Sequence, residues 1–335
     1  MTVIGRREGD GPALPLGRYR ARDGSAGARV RLDCARPHAA CVVGKRGSGK
    51  SNTLAVLAEG LCGVAGAVPV VVDPMGAFRG LRGAGATVRE PRVRADAIPP
   101  AEWPGLVGLD ATTGSGALVA AAARATGTLA GMCDHVAGSD ASPDTCRVAG
   151  TRLARAREWD VFDPAGLAAP TEPTVLDLAG VPERAANAVV RAVAAGLYER
   201  RVADEGPLPW LLVDEAHAFL GGAARPALDR LLTRGRAPGV SVVLATQRPD
   251  ALPATAVSQA DLLVAHRLTG RADTGAVAGA RGAYVDGPVA DRIPAGVGEA
   301  LVFDDATERA HGVRVAERAT PHGGGAPRLG TDGYE

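Results

Sequence analysis

The stretch Val42 to Leu61, VVGKRGSGKSNTLAVLAEGL, decides the fold. Gly44, Gly49, Lys50 and Ser51 satisfy G-x-x-x-x-G-K-[ST], a loop whose backbone N–H groups wrap a phosphate chain while its lysine reaches the terminal phosphates. Lys45, Arg46, Gly47 and Ser48 fill the loop and Asn52 follows it, so Gly44 to Asn52 is the expected phosphate-binding set. Ala39 to Val43 is an apolar run of buried-strand type, and Leu54, Leu57, Ala58 and Leu61 recur at helical spacing. A strand, a glycine loop and a helix N-terminus in that order converge unpaired N–H groups and the helix dipole on one point. Nucleotide phosphate is the expected occupant.

Lysine usage argues the same way. The chain holds 38 basic residues, yet only Lys45 and Lys50 are lysine, and both lie in this loop. A lysine that persists against such a bias toward arginine is hard to replace. A compact ammonium on a flexible stem enters a phosphate cradle where a planar guanidinium is too wide, which describes Lys50. Lys45 can be there by chance.

A chain of 335 residues with 46% hydrophobic content buries a large core, as one big α/β domain with insertions or two smaller ones. The formal net charge of +1 leaves any basic surface to be local, and 3% aromatic content is too low for a stacking platform along single strands. If nucleic acid is the partner, its phosphates are the handle. Cys34, Cys41, Cys62, Cys133 and Cys146 form no C-x-x-C pair and read as small thiols in a reducing cytosol. Met1 to Arg20 is polar and broken by Gly and Pro, so neither a signal peptide nor a membrane span is expected and the location is cytoplasmic.

Further along, Val68 to Asp73 is a buried strand ending on a carboxylate, which places Asp73 as a candidate to face the nucleotide or its water; a turn aspartate capping its own backbone is nearly as good a reading. Ala117 to Ala130 and Thr145 to Glu158 read as helices in a region without βα alternation. Thr174 to Leu178 resumes the sheet, and a helix follows over Pro182 to Arg201. Trp210 to Val213 is an apolar strand ending in Asp214-Glu215. The first acid of such a pair holds Mg²⁺ opposite the loop's Ser51, and the second, on the other side of the pleat, polarises the attacking water.

Ala224 to Thr233 is a helix, Gly235 to Gly239 a turn, and Val240 to Thr246 a strand tipped by Gln247, whose amide can bond the γ-phosphate or lytic water. Asp261 to His266 is another strand, and Gly298 to Phe303 with Gly312 to Val315 form a terminal hairpin. The chain then divides into a loosely ordered N-terminal extension (1–36) whose Arg29 to Leu32 alternates like an edge strand, the first part of a nucleotide-binding core (37–79), a helical insertion (80–170), the rest of the core (171–319) and a flexible tail (320–335). His38, His217, His266, His311 and His322 lack motif partners and read as ordinary polar residues.

Taken together, Gly44 to Ser51, Leu212 to His217, Ala245-Thr-Gln-Arg-Pro249, His266 to Thr269 and Gly298 to Phe303 resemble the HerA/FtsK superfamily of hexameric DNA-pumping ATPases, closest to the archaeal HerA branch, over about Pro37 to His322. The resemblance implies a RecA-like P-loop core with a mainly parallel central sheet, helices on both faces and a C-terminal β-hairpin. It implies ATP and Mg²⁺ as cofactors, double-stranded DNA as partner and a homo-hexameric ring. It makes Lys50 and Ser51 phosphate and metal ligands, Glu215 the base, Gln247 the sensor, and Arg236 or Arg234 a residue reaching into the neighbouring subunit's site, where such an arginine is worth on the order of 10³–10⁵ in rate. HerA relatives dock a nuclease of NurA type on an N-terminal β-barrel, and the roughly 40 residues ahead of this loop are too few for an ordinary barrel.

Competing readings are a small-molecule kinase with its substrate in the 80–170 region and a nucleotide-dependent assembly or scaffold ATPase. A GTPase is excluded because the guanine-reading N/T-K-x-D motif needs a lysine outside the loop. No L-S-G-G-Q-like signature precedes Asp214-Glu215, which disfavours an ABC-type ATPase.

Overall fold

Twelve strands pair into one sheet in the computed structural model, which describes residues 2–21, 25–285 and 287–323. In chain order they are β1 (Thr2–Ile4), β2 (Ala13–Arg20), β3 (Ala26–Asp33), β4 (Ala39–Val43), β5 (Ala67–Asp73) and β6 (Thr87–Arg89). The second half contributes β7 (Thr174–Asp177), β8 (Leu208–Val213), β9 (Ser241–Thr246), β10 (Leu262–Ala265), β11 (Glu299–Asp304) and β12 (Arg309–Val315). Their spatial order is β1-β3-β2-β12-β11-β10-β4-β9-β8-β5-β7-β6.

From β10 to β6 every neighbouring pair is parallel. All five residues of β4 are buried, as a strand covered on both faces requires. Ala39, Cys41 and Val43 face one core with the Glu183–Val202 and Arg225–Arg234 helices, whereas Ala40 and Val42 face the other with the Lys50–Cys62 helix. Because parallel strands end at one edge, β4, β8, β9 and β10 deliver the phosphate loop, Asp214, Gln247 and His266 to the same side of the sheet. β9 lies between the loop strand and the carboxylate strand.

The two expected helices of the 80–170 region become Gly114–Ala125, Leu129–Ala137 and Pro143–Arg157, preceded by a short helix at Trp103–Leu106. Ala117 to Ala130 is not continuous, because Thr128 leaves the helical conformation and its hydroxyl accepts from Gly131 N at 3.1 Å, capping a new helix. Thr113 and Ser142 cap the other two in the same way. Arg191, on the buried face of the Glu183–Val202 helix, pairs with Glu102 and ties this region to the core. The region also contributes β6, unexpected from sequence, which adds to β7 at the sheet edge.

Both chain ends depart from expectation. The N-terminal residues are not loosely ordered: β2 pairs antiparallel with β12 and β3, and β1 runs parallel to β3, so the sheet continues outward from the terminal hairpin. Leu14 and Leu16 of β2 are buried with the Lys50–Cys62 helix, and a Cβ on Gly60 would lie 3.2 Å from Leu14 Cδ2. At the other end Thr320 is held rather than free. Its N–H and hydroxyl donate to Glu59 Oε1 at 2.8 and 2.6 Å. Of the expected flexible tail, 324–335 lies outside the described residues. No helix among the described residues is long and apolar enough to cross a membrane.

Candidate nucleotide site

The phosphate loop joins β4 to the Lys50–Cys62 helix; backbone conformation favours its three glycines, and space also restricts Gly44 and Gly49. Gly44, Gly47 and Gly49 have φ of 157°, 73° and 122°. A Cβ on Gly44 would stand 2.5 Å from Ser48 Oγ and 2.6 Å from His266 Cβ. One on Gly49 would meet Gly298 and the His266 ring at 3.2 Å. No side chain caps the helix start, which leaves its first N–H groups and dipole available to an anion. Lys45 fixes the loop through its backbone, donating to Arg267 O at 2.9 Å and accepting from Ser48 N and from Lys50 Nζ, each at 3.2 Å. Its side chain and the exposed Arg46 line the loop's outer side.

Lys50 is buried. Burial pushes its ammonium below the ordinary lysine range, opposed by the carboxylates of Glu215 and Asp214. That coupling puts the loop lysine and both strand-end acids in one electrostatic unit. Ser51 Oγ donates to Asp214 Oδ2 at 3.0 Å, the hydroxyl–carboxylate pair between which a divalent cation is held in phosphate-loop proteins. Asp214 is buried, and burial together with the charge of Glu215 raises its pKa. A bound cation would reverse that shift. Two further polar atoms, Ser48 Oγ and Glu215 Oε2, are buried with no hydrogen bond among the described residues, although His217 Nδ1 stands 3.3 Å from the latter. The unsatisfied Ser48 Oγ, the cradle that a Cβ would fill, and the Ser51–Asp214 pair fit a nucleotide with its metal.

Glu215 does not point away from Asp214 through pleat alternation, as the sequence reading had it. β8 ends at Val213, and Glu215 occupies a left-handed turn at φ 47° with its N–H donating to Asp214 Oδ1 at 3.0 Å. A left-handed conformation at a non-glycine residue is costly, and strain of this kind concentrates at functional sites. His217 was passed over in sequence. Its Nδ1 lies 3.3 Å from Glu215 Oε2 and 3.3 Å from Thr246 Oγ1. Thr246 in turn accepts from Arg248 N at 3.0 Å and so shapes the turn that carries half-buried Gln247. Glu215 and the Gln247 turn are thereby linked through His217 and Thr246.

His266 was also passed over. Fully buried, it bonds Thr53 Oγ1 through Nε2 at 2.8 Å and Glu299 O through Nδ1 at 2.8 Å, so it clamps the first turn of the loop helix to the terminal hairpin. Burial is the main cause that depresses its pKa to about 4. The ring is neutral, and the carbonyl fixes the proton on Nδ1.

Two expected ligands are employed elsewhere. Asp73 is fully buried and accepts from the N–H groups of Met75, Ala77 and Phe78 at 3.3, 2.9 and 2.8 Å. The Pro74-Met75-Gly76 turn folds its backbone donors onto the carboxylate, so Asp73 caps its own loop instead of facing nucleotide. Asn52 donates to Ala316 O at 2.8 Å and accepts from Arg318 N at 3.1 Å, so its side chain binds the C-terminal segment. Arg234 and Arg236 are exposed, and neither side chain has a hydrogen bond or ion pair among the described residues.

Residues 14–125, the segment that builds the cradle, match the family model described as "Helicase HerA, central domain". No curated protein sequence matches the chain. Among solved structures, VirB4 of Thermoanaerobacter pseudethanolicus superposes with a TM-score of 0.72 at 17% identity, covering 93% of this chain and 98% of its own. The bacterial conjugative coupling protein TrwBdeltaN70 superposes at 0.57 with 15% identity, covering 86% of each chain. Such identities establish a shared RecA-like fold. The family match lies on the loop and the first strands around it, about a third of the chain, and the superpositions place the rest in the same fold.

Proposed function

We propose that the protein is an ATP-driven DNA translocase that works as a homo-hexameric ring on double-stranded DNA. The observation that carries this reading is the division of the catalytic set. Ser51, Asp214 and Glu215 are assembled within one chain, whereas Arg234 and Arg236 stand exposed with no side-chain hydrogen bond or ion pair among the described residues. A ring closed by head-to-tail contacts supplies that neighbour.

In this reading Gly44 to Ser51 bind the triphosphate of ATP, and Ser51 with Asp214 hold Mg²⁺, which supplies charge neutralisation on the phosphate oxygens. Glu215 accepts the proton of the attacking water through its carboxylate. Gln247 donates to the γ-phosphate, and the Thr246–His217–Glu215 link couples that contact to the base. An arginine from the next subunit completes charge stabilisation. A cytoplasmic location accords with this role.

The test is ATP turnover with and without linear duplex DNA. Stimulation by duplex supports the motor. Unchanged turnover with phosphate transfer to a small metabolite would replace it with the kinase, and nucleotide-dependent assembly without turnover would replace it with the scaffold ATPase.

A further inference from the structure

The N-terminal strands carry a row of arginines that the nucleotide site does not use. Arg314 of β12 is the register partner of Arg18 on β2, and Arg18 is the partner of Arg29 on β3. Register partners point to the same face of a sheet, so three guanidinium groups stand abreast on adjacent strands about 4.8 Å apart. Arg31, two residues beyond Arg29, adds a fourth on that face about 7 Å along the strand. On the opposite face Leu14, Leu16, Val30, Leu32, Val313 and Val315 are buried in the core of the Lys50–Cys62 helix.

These four arginines line a groove of about 570 Å³. No carboxylate and no aromatic ring is among its lining residues. The side chains of Arg29 and Arg314 have no hydrogen bond or ion pair among the described residues, and those of Arg18 and Arg31 bond only backbone carbonyls, of Gly27 and Ala13. The nearest acid in register, Glu299 opposite Arg314, is engaged by Arg20 at 3.4 Å. Like charges directly opposite each other on a sheet are destabilising. A chain of formal charge +1 has nonetheless concentrated four of them on one open face.

We propose that Arg18, Arg29, Arg31 and Arg314 form a binding surface for the sugar–phosphate backbone of duplex nucleic acid. The spacing matches a polyanion with closely repeated charges, and a guanidinium fork takes phosphate oxygens two at a time. The lack of an aromatic ring removes base stacking and with it a single-strand preference. The contacts fix where the duplex lies and read no bases. This rests on the translocase reading and adds to it a site on the sheet extension, away from the ATP cradle.

The test uses the full chain and a blunt fluorescent duplex, with affinity measured by anisotropy across salt concentrations. Three proteins are compared: wild type, the triple variant Arg18→Gln/Arg29→Gln/Arg314→Gln, and the matching triple Lys variant. Losing three phosphate contacts makes the slope of log affinity against log salt shallower by about 2.7, so raising salt fourfold costs the Gln variant about fortyfold less affinity than it costs wild type. The Lys variant retains the wild-type slope. Thermal midpoint rises in the Gln variant as the like-charge row is removed, which separates lost contacts from lost folding. Basal ATP turnover without DNA stays unchanged.

Equal slopes for wild type and the Gln variant would overturn this inference and leave the translocase reading standing. Failure of wild type to bind duplex at all would remove both. A change in assembly mass by light scattering, with duplex affinity unaltered, would reassign the row to a contact with an acidic protein surface.

Discussion

Ser51 Oγ and Asp214 Oδ2, 163 residues apart in sequence, meet at 3.0 Å. The contact joins the first turn of the loop helix to the end of β8, although β9 lies between β8 and the loop strand. Replacing Asp214 by Asn keeps the shape and removes the charge that a cation needs. Asp214→Asn is expected to bind nucleotide with little response to added Mg²⁺ and to lose at least a hundredfold in turnover. Titrating a fluorescent ATP analogue with and without chelator measures the first, and a phosphate-release assay the second.

Glu215→Gln should bind ATP and fail to hydrolyse it, because the amide cannot take the water's proton. Normal turnover would remove Glu215 as base. His217→Ala, which cuts the link from Glu215 to Thr246, is expected to lower kcat about tenfold or more with KM for ATP nearly unchanged. A steady-state comparison of the two parameters decides it.

Arg236→Ala and Arg234→Ala leave every described contact of the chain intact, so any loss reports on a neighbour. We expect the trans-acting one of the two to lose on the order of 10³-fold in turnover while its nucleotide affinity holds. Mixing it with Lys50→Ala subunits should recover part of the activity, since some interfaces then pair an intact loop with an intact arginine. Mixtures with no recovery at any ratio would argue that neither arginine acts across subunits.

Two buried histidines oppose each other in pH. Burial depresses His38, but Asp261 at 2.6 Å and Asp33 at 3.6 Å outweigh it and lift its pKa to about 9. Its stabilising contribution is full below the ordinary histidine value of 6.5 and is lost as pH rises through 9. His266, held at about 4 and neutral, does the reverse. It costs nothing above 6.5 and destabilises progressively as pH falls toward 4, because the unfolded chain binds the proton that the fold refuses. Each limb is worth about 3 kcal/mol. Chemical denaturation across pH should show His38→Gln flattening the alkaline limb and His266→Gln flattening the acid one.

Asp73→Ala strips three backbone donors of their acceptor. A loss of about 2–3 kcal/mol in unfolding free energy is expected, with KM for ATP unchanged in the protein that remains folded. A raised KM at full stability would return Asp73 to the nucleotide.

Much of the site was legible because each part is encoded locally. The glycine spacing of Gly44 to Ser51, the apolar run ahead of Asp214 and the polar tip after β9 are short-range patterns, and parallel strands carry such tips to one edge whatever lies between. Asp73 had two readings of nearly equal weight, and its short Pro-Met-Gly turn decided for the bland one. His266 and His38 gave no local signal at all. Their partners, Glu299 and Asp261, lie 33 and 223 residues away. The N-terminal strands were missed for the same reason, since β2 completes its ladder only against β12 from the far end of the chain.

The order of residues by itself determined a glycine cradle with the chemistry to grip a phosphate chain, and the class of fold that carries it. Those instructions are written within one strand, one turn and one helix, where backbone geometry follows from side-chain size and charge. Only the tertiary structure decided which polar groups face that phosphate and which are spent on backbone, which histidines are locked and in what protonation state, and that four scattered arginines share a single face. Those outcomes depend on strand pairing between distant segments, and burial, which sets both pKa and hydrogen-bond demand, exists only after that pairing has formed.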